Sequence, residues 1–222
     1  MSGPRAKTPG ARARTLRIGL VGPVGCGKST VAAWLGERGA AVVDADRLAR
    51  TVLDPGEPAL EAVFATFGDR LRLADGSLDR SALGAIVFAD PEALGRLEAI
   101  VHPAVRPLIV AAIEGAEAHG AATLVLEAIR LVDGGYGPLM DEIWLVTCDG
   151  EAQRERLALR GIEGEDAARR IGAQAELVER AAAAATRVID TSGSPADTRA
   201  AVDGALDAAR EARHRRGAAP DG

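Results

Sequence analysis

Short apolar runs alternate with longer stretches of helical periodicity, and this alternation predicts an α/β chain. Leu16–Val21 (LRIGLV) is an apolar run leading into glycine, as expected of a strand buried in a parallel sheet. Ser29–Arg38 has helical composition and closes at Gly39. A second strand, Ala41–Val43, ends at Asp44, and Arg47–Leu53 starts a helix that Asp54-Pro55-Gly56 stops. From Glu57 to about His119 strand signals vanish. Asp79 is placed there to cap a helix carrying Leu83, Ile86 and Val87. Asp90-Pro91 opens another, with Leu94, Leu97, Ile100 and Val101 on one face. His102-Pro103 predicts an interruption before helix resumes over Ala104–Ala118. Strand patterns return at Thr123–Leu126, Glu142–Thr147 and Arg187–Ile189. Helical patterns fill Glu151–Ala185, with a break near Gly161–Gly164, and Pro195–Arg210.

These elements divide the chain into a sheet-forming core over 16–53 and 120–210 and a helical insertion over 54–119. Residues 1–15, basic and broken by proline and glycine, cannot bury enough apolar area to offset ordering and read as a disordered tail. A second frayed tail is expected over 211–222, with His214, Arg215 and Arg216 as solubilising charge.

Gly22-Pro23-Val24-Gly25-Cys26-Gly27-Lys28-Ser29 changes the picture from fold to chemistry. It satisfies G-x-x-x-x-G-K-[ST] in full, with a strand before it and a helix after it. Glycines let successive backbone N–H groups turn inward around phosphate oxygens at the positive end of a helix. Gly25, Cys26, Gly27, Lys28, Ser29 and Thr30 are the expected nucleotide-binding residues. Lys28 is placed to reach the β- and γ-phosphates of ATP, and the Ser29 hydroxyl to ligate Mg²⁺. Cys26 reads as a small residue filling the loop rather than as an activated thiol.

Composition narrows the class. The chain has only two cysteines, Cys26 and Cys148, without metal-ligand spacing; a disulfide framework is excluded and a reducing, cytoplasmic setting expected. A net charge of −5 argues against nucleic acid as the main partner. No apolar run approaches the roughly 20 residues of a membrane helix, so no membrane partner is expected. The chain contains no asparagine, and its only lysines are Lys7 and Lys28, so the usual guanine-reading motifs Asn-Lys-x-Asp and Thr-Lys-x-Asp cannot be written. That disfavours a GTPase switch and leaves an ATP-using kinase or ATPase.

Asp44-Ala-Asp46 follows the second strand, and residues i and i+2 share a side of an extended chain. Phosphorylating an alcohol needs a carboxylate to orient the hydroxyl and take its proton. One of the pair is expected to cap the following helix and the other to serve the reaction. Arg156 and Arg160 share a helical face, and Arg169 and Arg170 follow beyond the glycine break. Guanidinium groups on a closing lid would offset developing charge and exclude water; a solvated arginine-rich helix is the alternative.

At these residues the chain resembles the dephospho-CoA kinase family, over about Leu16–Leu206. The likeness is carried by IGLVGPVGCGKSTVA, by VVDADRLAR with DPGEPAL, by DGSLDRSALGAIVFADPEALGRLEAIVHP and by VIDTSGS. It implies a doubly wound parallel P-loop core with a helical substrate-binding insertion and a lid over about 155–175. The substrates it implies are ATP and dephospho-CoA. Asp46 matches the family's catalytic aspartate, and Arg156 an arginine that stabilises the transferred phosphoryl group. Arg50, His102, Arg106 and Gln174 match positions expected to line or support the acceptor cleft; His102 is equally readable as structural. Arg160 belongs to the expected lid. One segment departs from the family: Glu127-Ala128-Ile129-Arg130-Leu131 lacks the usual proline, and Arg130 stands where an apolar residue is usual. Outside this resemblance, another P-loop small-molecule kinase or a non-catalytic ATP-binding regulatory module fits the same motifs.

Overall fold

All five predicted strands pair in parallel in the computed structural model, which describes residues 14–217. They are β1 (Leu16–Val21), β2 (Ala41–Asp44), β3 (Thr123–Glu127), β4 (Glu142–Thr147) and β5 (Arg187–Asp190), in the order β2-β3-β1-β4-β5. The P-loop strand is thus central, and the chain leaves it first toward one edge and later toward the other. Such a reversal opens a crevice at the carboxyl ends of the central strands. The register brings Leu20 and Asp44 level with Glu127, and Thr147 level with Asp190, so β1, β2 and β3 deliver their last residues to one rim.

Side-chain alternation sorts the sheet's residues between two cores. Ile18, Leu20, Val125, Trp144 and Val146 pack with Val31, Leu35, Val202 and Leu206 of α1 (Lys28–Glu37) and α9 (Pro195–Gly217). Leu124, Leu126 and Leu145 face the opposite core. It is built with α2 (Ala45–Thr51), α3 (Pro58–Phe67), α4 (Arg80–Ala89) and α5 (Pro91–Ala118). Because strand residues alternate in direction, β3 feeds both cores, which explains its unbroken apolar run. The remaining helices, α6 (Gly150–Ala158), α7 (Gly164–Gly172) and α8 (Ala175–Ala184), lie between β4 and β5 in sequence.

Four expectations require correction. First, α5 runs without interruption through His102-Pro103, with both Pro103 and Pro107 inside it. A proline inside a helix costs about 3 kcal/mol; here Val105, Ile109 and Ile113 are buried on the same helix and hold it in place. Its 28 residues pass the length and composition test for a membrane span, yet its apolar face packs against α2, α3 and α4. Second, α9 continues to Gly217, so residues 211–217 are helical; Arg213 reaches Asp141 at 2.6 Å. Third, the expected amino-terminal tail ends too late: Thr15 is buried and donates to the Ala121 carbonyl at 2.7 Å. Residues 1–13 and 218–222 lie outside the described residues. Fourth, the two cysteines are joined: Cys26 and Cys148 form a disulfide across 122 residues, with Cα atoms 5.2 Å apart. They meet because β1 and β4 are neighbours in the sheet, which linear spacing does not reveal.

Candidate active site

The loop after β1 curls through Gly25 and Gly27, both with left-handed φ, of 84° and 81°. Gly27 is the N-cap of α1, which has neither a side-chain cap nor an acidic residue in its first turn. Its leading N–H groups are therefore free to face an anion. Gly22 is required by a close approach: a Cβ there would lie 2.2 Å from the Val146 carbonyl oxygen. At the middle of the loop both backbone polar groups of Val24 are held by glutamines. The Val24 N–H donates to Gln174 Oε1 at 2.7 Å, and Gln153 Nε2 donates to the Val24 carbonyl at 2.7 Å. Gln174, expected at the acceptor cleft, thus has its side chain on the P-loop.

Lys28 is buried, and its ammonium donates to the Gly22 carbonyl at 2.8 Å. Burial pushes its pKa below the ordinary 10.5, while the carboxylates of Glu127 and Asp46 pull the other way. Ser29 Oγ donates to Glu127 Oε1 at 2.8 Å. Glu127 is the last residue of β3, and burial raises its carboxyl above the ordinary value, against the Ser29 hydrogen bond and Lys28. This glutamate was missed as a site residue by sequence reading. Its only signal was an acid ending the apolar run TLVLE, and its meaning depends on β3 pairing directly with β1.

Of the two aspartates, Asp44 is the one that caps the helix: it accepts from the Arg47 N–H at 2.9 Å at the start of α2. Asp46, in the first turn of α2, is half-buried and lines a cavity of about 200 Å³ between α2, α5 and the segment after β3. Burial raises its pKa above the ordinary 3.8, with Lys28 opposing and Asp44 reinforcing; Arg50 and the Ile129 N–H also favour its charged form. Lys28 and Asp46 therefore lie close enough for each to act on the ionisation of the other. His102 lines the same cavity, together with Glu98, Arg130 and Tyr136. Arg106 is exposed, with its guanidinium 5.7 Å from the centre of the Tyr136 ring.

On the other side of the loop, Gly27, Thr30, Trp34, Arg156, Arg160 and Thr191 border a second cavity of about 310 Å³. Arg156 donates from Nη1 to Thr191 Oγ1 at 2.8 Å and from Nη2 to the Thr191 carbonyl at 2.6 Å. The Thr191 hydroxyl is also 3.0 Å from the Cys26 carbonyl, so one threonine fixes the guanidinium relative to the P-loop. Arg160 is exposed on the same rim and close enough to Lys28 to disfavour its charge. Arg169 and Arg170 pair with Asp166 of their own helix, which matches the solvated alternative for those two.

One cavity borders the P-loop through Gly27 and Thr30, beside α1 and α6; the other, toward α2 and α5, contains Asp46, whose charge acts on Lys28. That arrangement suits a nucleotide on one side and an acceptor alcohol on the other. Among the described residues no cluster of three or more His, Cys, Asp or Glu is arranged to hold a metal. The Ser29 hydroxyl and Glu127 carboxylate are hard oxygen donors, the kind that suit a Mg²⁺ shared with phosphate groups.

A family model described as dephospho-CoA kinase matches residues 16–197. The dephospho-CoA kinase of Symbiobacterium thermophilum is 47% identical over 193 residues, covering 86% of this chain and 80% of that protein. A solved structure from Thermus thermophilus superposes with TM-score 0.72 at 34% identity, over 87% of this chain and 97% of that one. The dephospho-CoA kinase from Campylobacter jejuni superposes with TM-score 0.66 at 26% identity, over 88% of this chain and 98% of that one. These likenesses run through nearly all of the described fold and agree with the cavity beside the P-loop: the chain belongs to the dephospho-CoA kinase family.

Proposed function

We propose that the protein transfers the γ-phosphoryl group of ATP to the ribose 3′-hydroxyl of dephospho-CoA, giving coenzyme A and ADP. The observation that carries this reading is the closeness of Lys28, the P-loop cation after β1, to Asp46, the carboxylate after β2 that lines the neighbouring cavity.

The acceptor hydroxyl lies at Asp46, whose carboxylate orients it and receives its proton as the oxygen attacks the γ-phosphorus. The new O–P bond forms as the bond to the β–γ bridging oxygen breaks, and ADP departs with that electron pair. Lys28 exchanges its Gly22 contact for the β- and γ-phosphate oxygens, and the P-loop amides hold the same groups. Arg156 meets the charge developing on the transferred group, kept in place by Thr191. The Ser29 hydroxyl would hold a Mg²⁺ ion arriving with ATP, and such an ion would supply positive charge to offset that of the phosphates. Glu127 orients the Ser29 hydroxyl and is a positioning residue. Gln153 and Gln174 keep the loop in its binding shape through Val24. Neither nucleic acid nor membrane takes part in this reaction.

Mass spectrometry of products from ATP, Mg²⁺ and dephospho-CoA tests the reading. The expected result is one added phosphate on the acceptor with matching ADP release. Phosphorylation of a nucleoside or shikimate instead would assign a different P-loop kinase activity. ATP binding without acceptor-dependent ADP release would leave only a regulatory module.

A further inference from the structure

The acceptor cavity contains a cation that the mechanism above does not use. Arg130 lies three residues beyond the end of β3, on the wall that also carries Ala128. Across from it Glu98, on α5, brings Oε1 to 2.6 Å from Arg130 Nη1. The contact is a bare ion pair: Glu98 Oε1 and Arg130 Nε are both shielded from solvent and neither makes a hydrogen bond. Arginine gains most from a carboxylate or phosphate through two parallel N–H···O bonds, which this pair does not form. A buried N–H without a partner costs about 1–3 kcal/mol. Apolar side chains of similar volume usually replace such a pair without loss of stability. Of the other lining residues, Leu97, Val101 and Tyr136 are apolar or aromatic and make no use of the charge, while Asp46 and His102 are the polar groups that share the cavity.

The position of the pair supplies the missing partner. The N–H of Ile129 is near enough to Asp46 to favour its carboxylate, and Arg130 is the next residue. Asp46 and Arg130 line the same cavity, so an acceptor whose hydroxyl sits at Asp46 and whose body fills that cavity meets Arg130. The ribose of dephospho-CoA carries the reacting 3′-hydroxyl and, at its 5′ carbon, a diphosphate. The Arg130 side chain is 36% exposed and lines the cavity, so it is within reach of a ligand there.

Resting on the acceptor identity given above, we propose that Arg130 binds the 5′-diphosphate of the acceptor, exchanging its single contact with Glu98 for a two-bond fork. Arg130 then makes this cleft selective for acceptors bearing a diphosphate, and the pair with Glu98 stores the cation between turnovers. Because Glu98 belongs to the helical insertion and Arg130 to the core, acceptor binding also releases one tie between them.

The test compares dephospho-CoA with adenosine, which has the same ribose hydroxyl and no phosphate, in wild type, Arg130→Leu, Arg130→Lys and the double variant Arg130→Leu/Glu98→Leu. Arg130→Leu is expected to raise the KM for dephospho-CoA about ten- to hundredfold, the loss of a charge-assisted hydrogen bond, with kcat and the KM for ATP changing far less. The ratio of kcat/KM for dephospho-CoA over adenosine falls by the same factor, and Arg130→Lys recovers part of it. The double variant removes the stranded glutamate and is expected to melt at the wild-type temperature while keeping the high KM. A double variant with wild-type KM and wild-type acceptor ratio would show that the pair is structural and overturn the proposal. If the wild-type protein leaves dephospho-CoA unphosphorylated, the acceptor identity itself fails, and Arg130 loses its ligand with it.

Discussion

Cys26 of the P-loop is bonded to Cys148, the residue between β4 and the helix that carries Gln153 and Arg156. The next residue, Asp149, caps that helix through the Ala152 N–H at 2.7 Å, and Gln153 reaches back to Val24. Nucleotide loop and guanidinium-bearing helix are therefore tied covalently and by hydrogen bonds at the same junction.

Closing a loop of 122 residues removes unfolded-chain entropy, equivalent to about 4–5 kcal/mol in the chain-entropy model. Reduction with dithiothreitol, or Cys148→Ser, is expected to lower the melting temperature by several degrees, at about 2–4 °C per kcal/mol for a chain of this size. Thermal melts with and without reductant check this; identical melts would mean that the bond does not form in solution.

Asp46→Asn should lower turnover by about a hundredfold or more while leaving ATP affinity near its wild-type value. The wild-type pH profile should carry an acid limb above the ordinary carboxylate range, because burial raises the pKa of Asp46 and the base must be deprotonated. Steady-state kinetics between pH 4 and pH 8 would show that limb in wild type and lose it in the variant; near-normal turnover in Asp46→Asn would remove the aspartate from its role.

Glu127 links the site to stability. Its carboxyl is raised above its ordinary 4.5, so between the two values the folded state holds more protons than the unfolded state. The stabilisation is present below the ordinary value and is lost as pH rises through the folded one. Glu127→Gln keeps an oxygen to accept from Ser29 and removes the buried charge. Its melting temperature should equal or exceed that of wild type at pH 7 and fall less between pH 4 and pH 7, while its turnover decreases because Ser29 is less well oriented. A wild-type protein that gains stability over that interval through Glu127 would contradict the assigned shift.

Arg156→Met removes both contacts to Thr191 and the cation beside the P-loop. Turnover is expected to fall about 10²–10³-fold, as when a charge-stabilising donor is lost, with a smaller change in the KM for ATP. Pre-steady-state measurement of ADP formation separates a slower chemical step from slower product release; an unchanged chemical step would place Arg156 outside the reaction.

Much of this site was legible before any coordinates. Local rules suffice for a strand followed by a glycine-rich loop and a lysine, and for an aspartate that caps its own helix. Hence the P-loop with Lys28 and Ser29, and an aspartate cap after β2, could be read along the chain. The continuity of α5 could not, because a proline's local penalty was outweighed by apolar contacts made with α2, α3 and α4. Gln174 was misplaced for a similar reason: its family position says nothing of the 2.7 Å bond to a residue 150 positions earlier.

By itself the amino-acid order determined the elements and the phosphate-binding chemistry, since both depend on interactions within a few residues. Tertiary structure alone decided that Glu127 meets Ser29, that Cys26 meets Cys148 and that Arg130 meets Glu98. Each pair joins segments far apart in the chain, and they meet only because parallel strands in the order β2-β3-β1-β4-β5 bring distant carboxyl ends to one rim, with α5 packed beside it.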